Sequence, residues 1–332
     1  MDRYNKPVAY AVWSKNDDIR FYSTSGGAFY EFAKGIIDEG GVVVGANYND
    51  QNMVEHSMAY TEAELKNLCQ SKYVSSSMGG IFERILYELD EGRIVGFCGA
   101  PCQVAGLNAF LGKEYDNLFT MDFVCRGMNS RKAYKAWIEE LEVENKKRIK
   151  KVWFKYKNKG WKSSPTRTRL TFEDGTHKVL EGKQNHYMYG YLTSNLYIRP
   201  SCGKCRFKGL PRNSDITFGD FWGVEKEFDD DKGTSLLLVN STTGKEFLEK
   251  IKNHLEFHQT GFEQAVSGNP MFFQSVEVAK KSNAFLLEID DVPFSKALAK
   301  YTHKTLYEML ITDLRIFAKC ICKVTRKVFP KQ

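Results

Sequence analysis

The sequence predicts an α/β protein: an N-terminal mixed, largely parallel sheet with helices, then a small antiparallel β segment, a cysteine-containing loop and a helical C-terminus. Three observations point to this class. Short apolar extended runs alternate with helix-period patterns over the first half, as in strands connected by crossover helices. From about residue 151 the pattern changes to apolar–polar alternation turned at Asp-Gly, the mark of antiparallel pairing. The last third returns to helical periodicity.

In chain order, the predicted extended runs are Val8–Trp13, Val42–Ala46, Arg93–Phe97 and Leu118–Val124. The predicted helical patterns are Gly27–Glu39, Glu62–Cys69, Gly80–Asp90, Gln103–Leu111 and Ser130–Glu142. ILYELDEGRIVGFCG shows the local grammar: a helix stopped at Glu-Gly, a short buried strand, then a turn. KVWFKYKNKG and TRLTFEDGTHKVL form the antiparallel meander, and Ser201–Gly223 holds glycines and two cysteines. KTLYEMLITDLRIFAKCICKVTRKVF reads as a basic amphipathic helix. Its apolar side is expected to dock on the body in preference to a membrane surface.

The 332 residues, 42% of them hydrophobic, suffice for one large or two closely joined domains. The divisions this reading gives are 1–150, 151–225 and 226–332. No apolar run reaches the roughly 18 residues of a membrane span. The N-terminus meets charge too early for a secretory segment, so the expected location is cytoplasmic. A net charge of +7 favours anionic partners. No helix-turn-helix, zinc-finger or ribonucleoprotein signature accompanies it, so no nucleic-acid partner is expected.

The cysteines are Cys69, Cys98, Cys102, Cys125, Cys202, Cys205, Cys320 and Cys322, too scattered for a disulfide scaffold. Cys202 and Cys205 form C-x-x-C on a Gly-Lys turn, a spacing that lets two thiolates face one metal. A redox dithiol fits poorly, because such motifs follow a strand and open a helix. Cys102 and Cys125 each follow a predicted strand end, and the carboxyl ends of parallel strands share one edge. The four together suit zinc or an iron–sulfur cluster. Cys98 lies deeper in its strand and reads as a small buried hydrophobe, and Cys69, Cys320 and Cys322 read as packing.

Four segments resemble the beta subunit of coenzyme F420-reducing hydrogenase and dehydrogenase. They are STSGGAFYEFAKGIIDEGGVVVGA, SKYVSSSMGGIFERI, GAPCQVAGLNAFLGKEYDNLFTMDFVCRGMNS and RPSCGKCRFKGLPRNSDITFGDFWG, and they span about Ser23 to Gly223. The resemblance implies an iron–sulfur flavoprotein oxidoreductase that passes electrons between a [4Fe–4S] cluster, FAD and a small-molecule substrate, coenzyme F420-like or another acceptor. On that basis Cys102, Cys125, Cys202 and Cys205 hold the cluster. FAD is expected near Thr24, Ser25, Gly26 and Gly27, and near Lys72, Ser76, Ser77, Gly79 and Gly80. At these turns glycine lets N–H groups approach a diphosphate, the serine hydroxyls add donors, and a helix start follows. Asp220 and Trp222 are expected to shape the wall between cluster and flavin.

Two departures from the family pattern matter. Its CHG reads CRG here, with Arg126 in place of histidine, and no ferredoxin-like segment precedes Thr24. The electron donor is therefore expected to be a separate protein such as a ferredoxin, docking on Lys204, Arg206, Lys208 and Arg212. The setting expected for the activity is polysaccharide biosynthesis. The competing reading is a non-catalytic four-cysteine zinc or cluster scaffold. A nucleotide-sugar transferase using Arg167 and Arg169 is explained more simply by arginines salt-bridged on a hairpin face.

Overall fold

Apolar runs that do not alternate build the centre of the molecule. The structure, a computed structural model, describes residues 3–302. Among the described residues, strands β1 (Arg3–Ser14), β2 (Val42–Tyr48), β3 (Val54–Ala59), β4 (Val95–Cys98), β5 (Leu118–Phe123), β9 (Ile216–Asp220), β10 (Ser235–Ser241) and β11 (Leu255–Thr260) form one sheet. Its order is β11-β1-β10-β9-β5-β4-β2-β3. The central strands β9, β5, β4 and β2 run parallel, and antiparallel pairs complete both edges. The first four residues of β2 (Val42 to Gly45) are buried, as a strand covered on both faces requires.

Helices α1 (Asp17–Tyr22), α2 (Ala28–Asp38), α3 (Glu62–Leu68), α4 (Ile81–Asp90) and α5 (Pro101–Leu111) lie in the first part of the chain. On one face of the sheet, α2, α3 and a later helix, α8 (Thr242–Ile251), pack around Phe32, Val43, Phe119 and Phe247. On the other, α4 and α5 bring Ile81, Ile85, Val104 and Leu107 onto Val42, Val44 and Phe97. The residues of β2 alternate between these two cores, so both faces are covered.

A second sheet of β6 (Ile149–Phe154), β7 (Arg167–Phe172) and β8 (His177–Glu181) is wholly antiparallel. It shares an aromatic core with α6 (Arg131–Asn145), α7 (His186–Thr193), α10 (Ser282–Glu288) and α11 (Phe294–Thr302), in which Trp137 and Tyr187 stack at 5.0 Å. A short α9 (Phe262–Ser267) covers Ala9 and Leu236.

The predicted α/β class, parallel centre and small antiparallel sheet are present. The structure also places β3, β9, β10 and β11 where the sequence reading has no strand, and two of these fall after residue 226. Every residue of SLLLVNS in β10 is buried, so it lacks the alternation that marks a half-buried strand. The predicted C-terminal amphipathic helix, with Cys320 and Cys322, lies outside the described residues.

Candidate functional site

The carboxyl ends of β2, β4, β5 and β9 open into a cavity of about 680 Å³, lined there by Ala46, Cys98, Val124 and Asp220. An open parallel sheet collects ligands at this edge, and the volume is that of a small-molecule or cofactor site. The β6–β7 loop closes the far side with Trp161 and Lys162.

The turn before α2 forms one wall, and Thr24, Ser25 and Gly27 line the cavity. Gly26 does not, because it packs so tightly that a Cβ would stand 2.4 Å from the Val12 carbonyl oxygen. Gly27 sits at φ +93, a left-handed conformation that glycine adopts without strain, and starts α2 without a side-chain cap. The Ser25 hydroxyl donates to the Thr234 carbonyl at 2.8 Å, and Thr24 Oγ1 accepts the Ser71 N–H at 2.8 Å. Behind the turn the Lys157 ammonium donates to the carbonyls of Arg20, Ser25 and Lys232, which fixes the turn from the rear. Sequence reasoning missed Lys157, since its only signal is a lysine in a polar loop.

Lys72 lines the cavity, yet its ammonium donates to the carbonyls of Leu68, Cys69 and Gln70 at 2.8–3.2 Å. Burial pushes its pKa down to about 7. Ser76 also lines the cavity, whereas Ser77, Gly79 and Gly80 do not. The Ser77 backbone pairs with β3, donating to the Val54 carbonyl and accepting the His56 N–H, and Gly79 and Gly80 are exposed.

His56, on the unpredicted β3, is buried against this wall, flat on Phe97 with ring centroids 5.4 Å apart. Its Nε2 lies 3.2 Å from the Cys98 carbonyl oxygen and its Nδ1 2.9 Å from Ser76 Oγ. Burial lowers its pKa to about 4, so the ring is neutral at ordinary pH. Across the cavity, Trp161 and Trp222 stack in parallel at 4.6 Å, and Lys155 pairs with Asp220 at 2.5 Å above the Trp222 ring. Trp161 Nε1 is buried and has no partner among the described residues. Arg126 turns away from proton chemistry: it donates to the Tyr191 carbonyl and lies over the Tyr191 ring.

The cysteines gather behind the same edge. Cys102 sits in the first turn of α5, Cys125 just past β5, Cys202 on the 3₁₀ turn at Pro200–Lys204 and Cys205 at its C-cap. Cys102 and Cys125 are each within electrostatic reach of Cys202 and Cys205. Burial first, and these neighbours second, raise the Cys102 thiol pKa. Burial pushes Cys125 up to about 12, against the pull of Lys208. The Met128 N–H donates to Cys202 Sγ at 3.4 Å, and the Cys205 N–H to the Ser275 hydroxyl at 3.0 Å. All four are free thiols, a donor set that suits a cluster or zinc. Among the described residues, however, no three His, Cys, Asp or Glu side chains already stand as a metal-holding group. Cys98 lines the cavity from the end of β4, outside this foursome, and packs on the core.

The basic loop differs from expectation. Lys204 and Arg206 are exposed. Lys208 instead turns inward and donates to the carbonyls of Cys125 and Met271. Arg212 is buried and ion-paired with Asp122 at 2.7 Å, so it cannot form a docking face. Arg167 bridges Glu181 at 2.9 Å on the small sheet, the salt-bridged arrangement expected there.

The parallel-edge cavity, with Cys125 in its lining and three further thiols within electrostatic reach of Cys125, sits on an α/β fold. The chain belongs to the coenzyme F420 hydrogenase/dehydrogenase beta-subunit family: the family described by the C terminus of that beta subunit matches residues 92–263. It is thus a hydrogenase/dehydrogenase beta-subunit-like redox protein. Its fold is similar to a chain of the xenon-derivatised F420-reducing [NiFe] hydrogenase complex from Methanosarcina barkeri, at 16% identity and TM-score 0.51 over 90% of each chain. No curated protein sequence matches it. Among the described residues, no helix is long and apolar enough to cross a membrane.

Proposed function

We propose that this chain is an iron–sulfur flavoprotein oxidoreductase, in which the cavity binds FAD and Cys102, Cys125, Cys202 and Cys205 hold a [4Fe–4S] cluster. Such groups supply one-electron exchange on one side and two-electron chemistry toward a small organic substrate on the other. The observation that carries the reading is Cys125. It lines the cavity while standing among the other three thiols, so the two sites share a wall.

The protein supplies binding and orientation. The Thr24–Gly27 turn and the start of α2 offer backbone donors to a diphosphate, with Lys157 holding the turn in place. The Trp161–Trp222 stack and the Lys155–Asp220 pair line one wall of the cavity. The substrate is a small molecule, coenzyme F420-like or another acceptor. Family membership, and a fold similar to that of a chain in a hydrogenase complex, support a protein electron donor.

The test is the visible spectrum of protein reconstituted anaerobically with iron, sulfide and FAD. Broad absorption near 400 nm together with flavin bands is expected, on the order of four irons per chain. Colourless protein that retains zinc overturns the reading in favour of a scaffold.

A further inference from the structure

The hydrogen bonds around Ser76 can be assigned one hydrogen at a time. A carbonyl oxygen only accepts, so the Cys98 carbonyl requires the hydrogen of His56 on Nε2. His56 Nδ1 then bears a lone pair, and the Ser76 hydroxyl 2.9 Å away must donate to it. Gln103 is oriented by a separate contact, since its Oε1 accepts the Ala100 N–H at 2.8 Å. Its Nε2 is therefore a donor, bonded to Ser76 Oγ at 3.0 Å and directed also to Met78 Sδ at 3.1 Å.

The only hydrogen on Ser76 thus points into the protein, and one of its two lone pairs is already taken. A lone pair remains on a side chain that lines the cavity. A phosphate oxygen placed there would meet another acceptor, so the sequence expectation that the Ser76 hydroxyl helps hold a diphosphate fails on chemistry. An N–H would be matched. Through Gln103, Ser76 is tied to the first turn of α5, which also carries Cys102. The redox ring of the cofactor has reason to lie at this end, beside the thiols.

We propose that Ser76 is a fixed hydrogen-bond acceptor for the ring imide N–H of the bound flavin, with His56 and Gln103 as positioning residues that prevent its hydroxyl from turning. The assignment rests on FAD being the ligand of the cavity. It gives the flavin a direction, ring edge toward Ser76 and diphosphate toward the Thr24–Gly27 turn.

The experiment compares binding of FAD and of FAD methylated at the ring imide nitrogen, followed by flavin fluorescence quenching. Methylation replaces the N–H and leaves Ser76 facing a methyl group, so wild type should prefer FAD by about tenfold. Ser76→Ala should bind FAD about fivefold more weakly and bring the ratio near one, and Ser76→Thr should restore most of it. His56→Phe preserves the stack on Phe97 but removes the acceptor, which frees the hydroxyl to rotate and narrows the ratio. Equal affinity of wild type for the two flavins, or a tenfold ratio that survives in Ser76→Ala, overturns this inference and leaves the proposed function standing. Failure of wild type to bind FAD at all overturns both.

Discussion

At Ser76 the protein fixes the hydroxyl itself: the His56 ring takes its hydrogen, the Gln103 amide donates to it, and the Cys98 carbonyl fixes the ring. Cys102, the neighbour of Gln103 on α5, is in the opposite condition. It is brought near Cys125, Cys202 and Cys205, yet no three metal-ligating side chains among the described residues are assembled into a metal-holding group. The Ser76 hydroxyl is fixed by the protein's own hydrogen bonds, while the four cysteines stand near one another without such a network. Most buried polar groups find a partner within the fold, because leaving one unpaired costs stability. Thiols behave as small hydrophobes until a metal arrives, so they need no such completion.

The comparison breaks most sharply at the thiols. Cys102→Ser should lower the iron retained after anaerobic reconstitution by about tenfold or more, because a ligand is lost outright. Cys98→Ser, on the cavity wall outside the foursome, should leave iron unchanged. Iron per chain, measured on both variants, decides between them. Equal loss would mean that the ligand set is drawn wrongly.

Next in size is the framework behind the loop. Arg212 and Asp122 are both buried and face one another at 2.7 Å, and Phe272 lies beneath the guanidinium. Burial pushes the Asp122 carboxyl above its ordinary range, with Arg212 opposing the shift. Arg212→Met leaves that carboxylate unpaired, an expected loss of about 3–5 kcal/mol in urea unfolding. Lys204→Ala, on the exposed side of the same loop, should leave the midpoint unmoved. Similar midpoints for the two variants would remove the distinction between framework and surface.

The cavity wall should reveal itself through pH. His56 is neutral and buried, its pKa lowered from 6.5 to about 4 by desolvation. The unfolded chain therefore binds more protons than the folded one between these values, and stability is lost as pH falls from about 6.5 toward 4. The full effect is on the order of 3 kcal/mol. His56→Gln can keep both hydrogen bonds without titrating, so its stability should fall less over that window. Parallel pH profiles for wild type and variant would show that His56 does not titrate as its burial implies.

How much of this was legible in the sequence follows from what each region demands. The cysteine group could be read, because C-x-x-C has a fixed spacing and two strand ends share an edge. The glycine turn before α2 could be found only through the family resemblance, since its residue types alone fit an ordinary helix start. His56, Lys157 and the Trp161–Trp222 stack could not, since each acts through partners distant in sequence. Lys157 reaches Ser25, and His56 reaches Cys98. The strands β9 and β10 were hidden for a related reason: burial on both faces removes the period that would announce them. Lys208 and Arg212 read as surface charge because sequence shows a basic run and not the direction each side chain takes.

The smallest expected effect lies where the cysteine loop meets solvent. With Lys208 and Arg212 turned inward, the positive charge left on this loop is that of Lys204 and Arg206, on either side of Cys205. Phe273, about half exposed, packs near Gly209 and adds an apolar contact at the loop's edge. A small basic rim beside an apolar side chain and a thiol group suits an acidic redox partner. Its charge would act mainly on the rate of encounter, and salt would screen it beyond about 10 Å at 0.1 M. Replacing Lys204 and Arg206 together by alanine should slow reduction of the flavin by a reduced acidic ferredoxin by about three- to tenfold at low ionic strength, with the difference fading as salt rises. Lys208→Ala should behave otherwise, because its ammonium ties Cys125 to Met271: any slowing it causes should persist at high salt. If the double variant is reduced at the wild-type rate at low salt, the partner approaches from another side and the loop's exposed charge has no part in docking.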